Sequence, residues 1–360
     1  ASPEHFFRVS VGELPVVTGI FPLGVRAETE TEVQFAGENL PPGAGVKVKT
    51  GAAGETVVPV DAEKLRARKD FKVLVSASPE AQEVEPNDTP ATATPFQVPG
   101  AVNGRLTGAI AALSPAGGER GKAAIDMDHF RFEAKQGQHL VIETMAARRG
   151  SPADTKIEVL HPDGRPVERV WLQAVRNSSV TFRGIDSANP DVRLVNWEEM
   201  ELNQYLYFGG EVCRLFRAPR GPDAGFLLYN RGGRLAYYNT SPVAHPLDEP
   251  AYIVEPHQPG ATLVPNGLPV FKLVYANDDD GERKLGTDSR VYFTPPADGS
   301  YVVRVTESKG FGGDRYAYRL VVREAKPDFT PTLTGANQSI PRGAGRNFTV
   351  KLDRADGFEG

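Results

Sequence analysis

Glu83, Glu85, Asn87 and Asp88 place four oxygen-bearing side chains within six residues, and Pro86 among them keeps the segment out of a helix. A second acidic pair, Asp126 and Asp128, stands directly ahead of a strand-like alternation through Phe130, Arg131 and Phe132. Hard oxygen ligands on extended backbone suit calcium, which takes roughly 6–8 oxygens in loose geometry. They do not suit a catalytic acid/base dyad, which needs a cleft and unlike environments for its two carboxylates. The plain alternative is a solvated acidic linker followed by a strand-entry turn. Carboxylates that converge without a cation repel one another.

Other residue types offer less. Tyr205, Tyr207, Tyr237 and Tyr238 are candidates for a sugar- or peptide-stacking face, although rings of this kind also build the core and rim of a small β domain. Strand alternation puts Tyr205 and Tyr207 on one face and splits Tyr237 from Tyr238. The six histidines show no metal-ligand spacing, and His245 and His257 sit beside prolines as turn or strand-end residues. The run Asp278, Asp279, Asp280 reads as a solvated turn. The single cysteine, Cys213, excludes an intrachain disulfide and a cysteine zinc cluster, and reads as a small buried hydrophobe. There is no G-x-S-x-G elbow, S-x-x-K or phosphate-binding loop, so a non-enzyme is expected.

The scaffold that must position these residues is legible in composition and period. With 360 residues, 40% of them hydrophobic, the chain has material for roughly two or three domains. Its 37 glycines and 30 prolines, with little helical periodicity, favour many short strands joined by turns. A net charge of −5 without a basic stripe argues against nucleic acid as a partner. No apolar run approaches the ~20 residues that span a bilayer, so membrane insertion is not expected. The strand at 5–11 repeats the pattern of 316–322, each an aromatic, an arginine and alternating apolar residues leading to a proline. Residues 1–13 therefore read as the last strand of a preceding domain like the one ending near 324. Residues 325–360 read as the start of a further β unit, with strands near 340–343 and 348–352. The whole reads as a segment of a longer modular protein.

Two stretches carry a family likeness. Residues 14–78, with Pro15, Ile20, Pro22 and Gly24 followed by Val33, Phe35, Gly37, Asn39 and Leu40, resemble the IPT/TIG immunoglobulin-like domains. Five motifs in order cover 79–172 and 264–324: Glu83-x-Glu85-Pro86-Asn87-Asp88, Asp126-x-Asp128-x-Phe130-x-Phe132, Asn277-Asp278-Asp279-Asp280-Gly281, the run Ala297 to Val305, and Tyr316-x-Tyr318-Arg319-Leu320. This set resembles the bacterial pre-peptidase C-terminal domain and is similar to the collagen-binding domains of bacterial collagenases. The likeness implies a jelly-roll-like sandwich, and it implies Glu83, Glu85, Asn87, Asp88, Asp126 and Asp128 as calcium ligands. Residues 173–263 depart from the pattern and carry too many strand signals for a loop, so an inserted small β-barrel is expected there. The expectation is all-β: tandem β-sandwiches, immunoglobulin-like then jelly-roll-like, interrupted by a barrel. The implied role is a calcium-stabilised structural or adhesive segment of a secreted, periplasmic or cell-surface protein. Its partners would be an extracellular polysaccharide or protein. The alternative is a binding module accessory to a secreted hydrolase.

Overall fold

The computed structural model describes residues 11–108, 126–221, 224–228, 236–334, 339–340, 342–345 and 347–358. It is nearly all β, with 47% strand and 3% helix. The expected strand at 5–11 lies outside the described residues, apart from its last position.

Alternation decides the central sandwich. In the strand Asp128–Ala134, Phe130, Phe132 and Ala134 are buried while Arg131 and Glu133 turn outward, the period-2 signature of a strand with one face on a core. Two five-stranded sheets enclose that core. One runs in the order Arg290–Phe293, Leu140–Met145, Ala317–Glu324, Gly100–Arg105, Glu80–Gln82; the other runs Ala276–Asn277, Thr155–Leu160, Gly299–Glu307, Asp128–Ala134, Thr94–Pro95. Phe130, Phe132, Ile142, Ile157, Phe293 and Tyr318 fill the space between them. Phe132, Phe293 and Tyr301 meet edge-on or tilted at centroid distances of 5.0–6.3 Å, the favoured geometries for aromatic quadrupoles.

The last strand of each order is short and pairs in parallel. Glu80–Gln82 lies against Gly100–Arg105, and Thr94–Pro95 against Asp128–Ala134. The acidic segment, from residue 83 to 93, thus leaves the edge of one sheet and arrives at the edge of the other. Its sequence suits a crossing: Pro86 and Pro90 cannot donate to a ladder, and Thr89 and Thr92 cap one short 3₁₀ turn reciprocally.

Before this sandwich lies a smaller one. Its sheets run Gly45–Lys49, Glu30–Glu38, Val16–Phe21, Arg66–Ala67, and Gly24–Arg26, Phe71–Ser76, Gly54–Val58, around Val17, Ile20, Val33, Val48 and Val73.

The inserted segment is a five-stranded sheet ordered Glu211–Arg214, Tyr205–Phe208, Pro250–His257, Glu168–Ser179, Val270–Val274, with a ribbon of Ile185–Asp186 and Ala244–His245. Among the described residues its two outer strands do not pair with each other. Its pairing reaches beyond the expected limits of 173 and 263. Glu168 pairs with Val274 and Gln173 with Val270, so residues expected to belong to the sandwich stand in the guest sheet. A half-buried alternating strand reads the same whichever sheet it joins, and for that reason the border is not visible in the sequence.

The C-terminal unit is a hairpin, Asp328–Thr334 paired with Thr349–Ala355. Its first strand lies earlier than the expected one near 340–343. A lone hairpin is marginal in water; this one is tied down where Arg323 meets Asp356 at 2.5 and 2.8 Å and where Lys284 Nζ donates to the Arg354 carbonyl at 3.0 Å.

Candidate cation site

Backbone pairing fixes where each acidic residue points. The Glu83 N–H donates to the Asn103 carbonyl at 2.9 Å, and the Arg105 N–H donates to Glu83 Oε1 at 2.8 Å, so Glu83 is held on the first sheet. Across the gap, the His129 N–H donates to the Asn87 carbonyl at 3.1 Å, which binds that residue to the second sheet. Glu85, between them, accepts the Asn87 N–H on Oε2 at 2.9 Å. Asp128 begins its strand with the side chain inward, where Oδ2 accepts the Tyr318 hydroxyl at 2.5 Å. Gly104 makes room: a Cβ there would stand 2.5 Å from the Tyr318 hydroxyl and 2.6 Å from Glu83 Oε2.

The result is a convergence of like charges. One carboxylate oxygen each from Glu83, Glu85 and Asp128 lies within 4.8 Å of the other two. Oxygens bound at 2.3–2.6 Å sit on a sphere about 5 Å across, so the three fit the shell of one calcium ion. Asp128 and Asn87 are fully buried. Among the described residues, Asp128 Oδ1, Glu83 Oε2 and both polar atoms of the Asn87 side chain have no hydrogen-bond partner. Buried groups of this kind normally find one, and leaving one unpaired costs about 1–3 kcal/mol.

The electrostatics report the same frustration. Burial, followed by the charges of Glu85 and Asp126, pushes Glu83 up to about 8. Burial, then the charge of Glu83, pushes Asp128 well above the usual carboxylate range, and burial also raises Glu85. Tyr318 is raised well above its ordinary value by burial and by Asp128. Two candidates stand further out. Asp126 lends its charge to the cluster, but its Oδ2 accepts from both the N–H and the hydroxyl of Thr107, the latter at 2.9 Å. Asp88 is exposed and reaches the group only through its charge on Glu85.

The tyrosines are placed differently from the expected platform. Tyr205, Tyr207, Tyr237 and Tyr238 are half-buried on one face of the guest sheet, beside Val170, Leu172 and Val254. Tyr207 stacks on Phe271 at 4.0 Å, and Tyr205 meets Tyr237 and Tyr238 at 5.4 and 5.6 Å. Tyr237 and Tyr238 do not split between faces. They occupy a turn rather than a strand, and Tyr238 takes a left-handed φ of 56° that brings its ring to the same side.

Two groupings depart from the turns expected of them. Asp280 is buried and accepts the N–H groups of Glu282 and Lys284, while Asp279, half-buried beside Asp278 and Asp154, is raised by burial to about 6. Of the Asp run, only Asp278 is the exposed turn residue expected. In the guest sheet, His245 lies between two carboxylates, with Nε2 2.9 Å from Glu211 and Nδ1 2.6 Å from Glu249, and its ring stacks on Phe208 at 3.5 Å. Glu211 is fully buried and also accepts the Ser187 hydroxyl at 2.6 Å, the Cys213 thiol at 3.0 Å and the Val243 N–H at 3.1 Å. Burial and Glu211 raise the thiol well above its ordinary value, which makes it inert rather than nucleophilic. The cluster is a buried structural knot. Ser187→Ala should lower the unfolding free energy in urea by about 1.5 kcal/mol, the lower end for a hydrogen bond to a charged group. Glu211 keeps three partners in that variant.

Comparison with family models and with curated proteins finds no match for this chain. Among the described residues no helix is long and apolar enough to cross a membrane.

Proposed function

We propose that this chain is a non-catalytic, calcium-stabilised structural or adhesive segment of a secreted or cell-surface modular protein. The observation that carries the reading is the convergence of Glu83, Glu85 and Asp128 with the orphaned, fully buried Oδ1 of Asp128. A hard cation answers both the repulsion and the missing partners. Glu83, Glu85 and Asp128 are its direct ligands, Asn87 supplies an amide oxygen, and Asp126 and Asp88 add charge. An ion there fastens together the two sheets that the acidic segment crosses. The likeness of the acidic motifs to pre-peptidase C-terminal domains, and of residues 14–78 to IPT/TIG domains, supports an export-linked, modular setting. The second reading, a module that binds a polysaccharide or protein beside a secreted hydrolase, is favoured by the groove described below.

Isothermal titration tests the site. The wild type should bind one calcium ion per chain, and Asp128→Asn should bind none while keeping its β-rich circular dichroism. Calcium binding left unchanged by Asp128→Asn and by Glu83→Gln would defeat the assignment.

A further inference from the structure

A groove of about 1200 Å³ lies where the guest sheet leaves the central sandwich. None of the cation-site carboxylates lines it. The sandwich contributes His161, Arg165 and Tyr275; the guest contributes Arg169, Tyr238 and His257. The Arg169 guanidinium lies over two rings, 5.7 Å from the Tyr238 centroid and 5.2 Å from that of Tyr275. His257 Nε2 is buried and, among the described residues, has no hydrogen-bond partner. Tyr238 holds its ring in the groove from a left-handed backbone, an uncommon conformation for a bulky residue and one that clusters at binding sites.

Charge selects the occupant. The chain as a whole is acidic, yet among the described residues Glu168 is the one carboxylate lining this groove. Its oxygens are engaged, Oε2 by the Trp171 indole N–H at 2.9 Å and Oε1 by Lys272 at 3.9 Å. Arg165 is exposed and paired at 2.7 Å with Asp163, itself exposed, so an incoming anion can compete for it. Size selects further, because ligand pockets for small molecules hold about 300–1000 Å³, and this groove suits several linked units. Five prolines line it. They offer flat apolar faces but no N–H to pair with an added strand, which favours a sugar chain over a peptide.

We infer that the groove binds an acidic polysaccharide whose uronate carboxylates meet Arg165 and Arg169 and whose pyranose faces lie on Tyr238 and the prolines. The test is titration of the full chain with hexasaccharides of hyaluronan and of galacturonate, with maltohexaose as the neutral control and hexaglutamate as the anionic peptide. Both uronate chains should bind, more weakly as salt is raised, and the neutral sugar should not. Arg165→Ala, at an exposed position, should weaken binding by about tenfold, as loss of one charge-assisted contact does. Arg169→Gln should weaken it further, with the β-rich circular dichroism and the thermal midpoint retained as proof of folding. Failure of both uronate chains to bind, equal binding of maltohexaose, tighter binding of hexaglutamate, or affinity untouched by Arg165→Ala would each overturn the inference.

Discussion

A chelator should lower the thermal midpoint of this protein by about 5–10 °C at pH 8 and by much less at pH 5. The size follows from mass action. Calcium at a hundredfold excess over its dissociation constant adds ~2.7 kcal/mol to the folded state, and each kcal/mol moves the midpoint of a domain of 150–250 residues by about 2–4 °C. The pH dependence follows from the raised carboxyls. With no cation, folded Glu83 titrates at about 8 and folded Asp128 well above its ordinary value, whereas in the unfolded chain both titrate near 4. Across that window the folded state holds protons that the unfolded state has released. The stabilisation is therefore complete below the unfolded values and drains away as pH climbs through about 8. A cation takes the place of those protons, so the decline should vanish at saturating calcium, and calcium affinity should rise with pH as protons are displaced. Calorimetric scans at pH 5, 6.5 and 8, with calcium and with chelator, measure all of this. Superimposable scans at pH 8 would remove calcium from the account.

Asn103→Ala should cost about 3–6 kcal/mol and detach the N-terminal sandwich from the central one. Asn103 is 1% exposed. Its Oδ1 accepts the N–H groups of Leu23 at 3.0 Å and Gly24 at 2.8 Å, and its amide donates to the Gly24 carbonyl at 3.1 Å and to Glu80 Oε2 at 3.2 Å. Truncation leaves several buried groups unpaired at about 1–3 kcal/mol each. The neighbouring clamp, Arg319 on Glu80 with both side chains more than nine-tenths buried, stays but loses one of its partners. The same short strand serves the candidate cation site: the Asn103 carbonyl holds Glu83, and Arg105 gives its N–H to Glu83 while its guanidinium lies 4.0 Å over the Phe21 ring. Calcium should therefore slow hydrogen exchange not only around 83–88 but also at Leu74, whose N–H pairs with the Leu23 carbonyl. In Asn103→Ala the second effect should disappear while the first remains. Protection at Leu74 that ignores calcium in the wild type would show that the two sandwiches are fastened independently of the ion.

The all-β architecture was written openly in the chain, because period-2 alternation and turn chemistry are local properties. Glu83, Glu85 and Asp128 were visible for the same reason, since a dense acidic motif outside a helix and a second one ahead of a strand are local patterns. What the sequence withheld is set by distance. Nothing near Asp126 announces that Thr107 will occupy its oxygen, and nothing near Asn103 announces an appointment with Leu23. Both depend on which strands become neighbours. His245 reads as a turn residue beside Pro246 because its fully buried partner, Glu211, comes from a distant strand. Strand alternation would set Tyr237 and Tyr238 on opposite faces, but it holds only in a strand, and a single left-handed φ undoes it. Asp280 reads as a solvated turn because charge density, with no knowledge of burial, favours water.

One feature of the topology bears on how the molecule carries load. The guest leaves the sandwich along Glu168–Ser179 and returns along Val270–Val274, and these two strands are hydrogen-bonded to each other, Glu168 against Val274. Tension applied at residues 14 and 324 therefore closes across that pair and bypasses the hundred or so residues beyond it. Within the central sandwich it falls instead on the narrow seam where Glu80–Gln82 lies beside Gly100–Arg105, which in turn grips Ala317–Glu324. The guest hangs from the stressed chain like a pennant from a cable while the seam takes the strain.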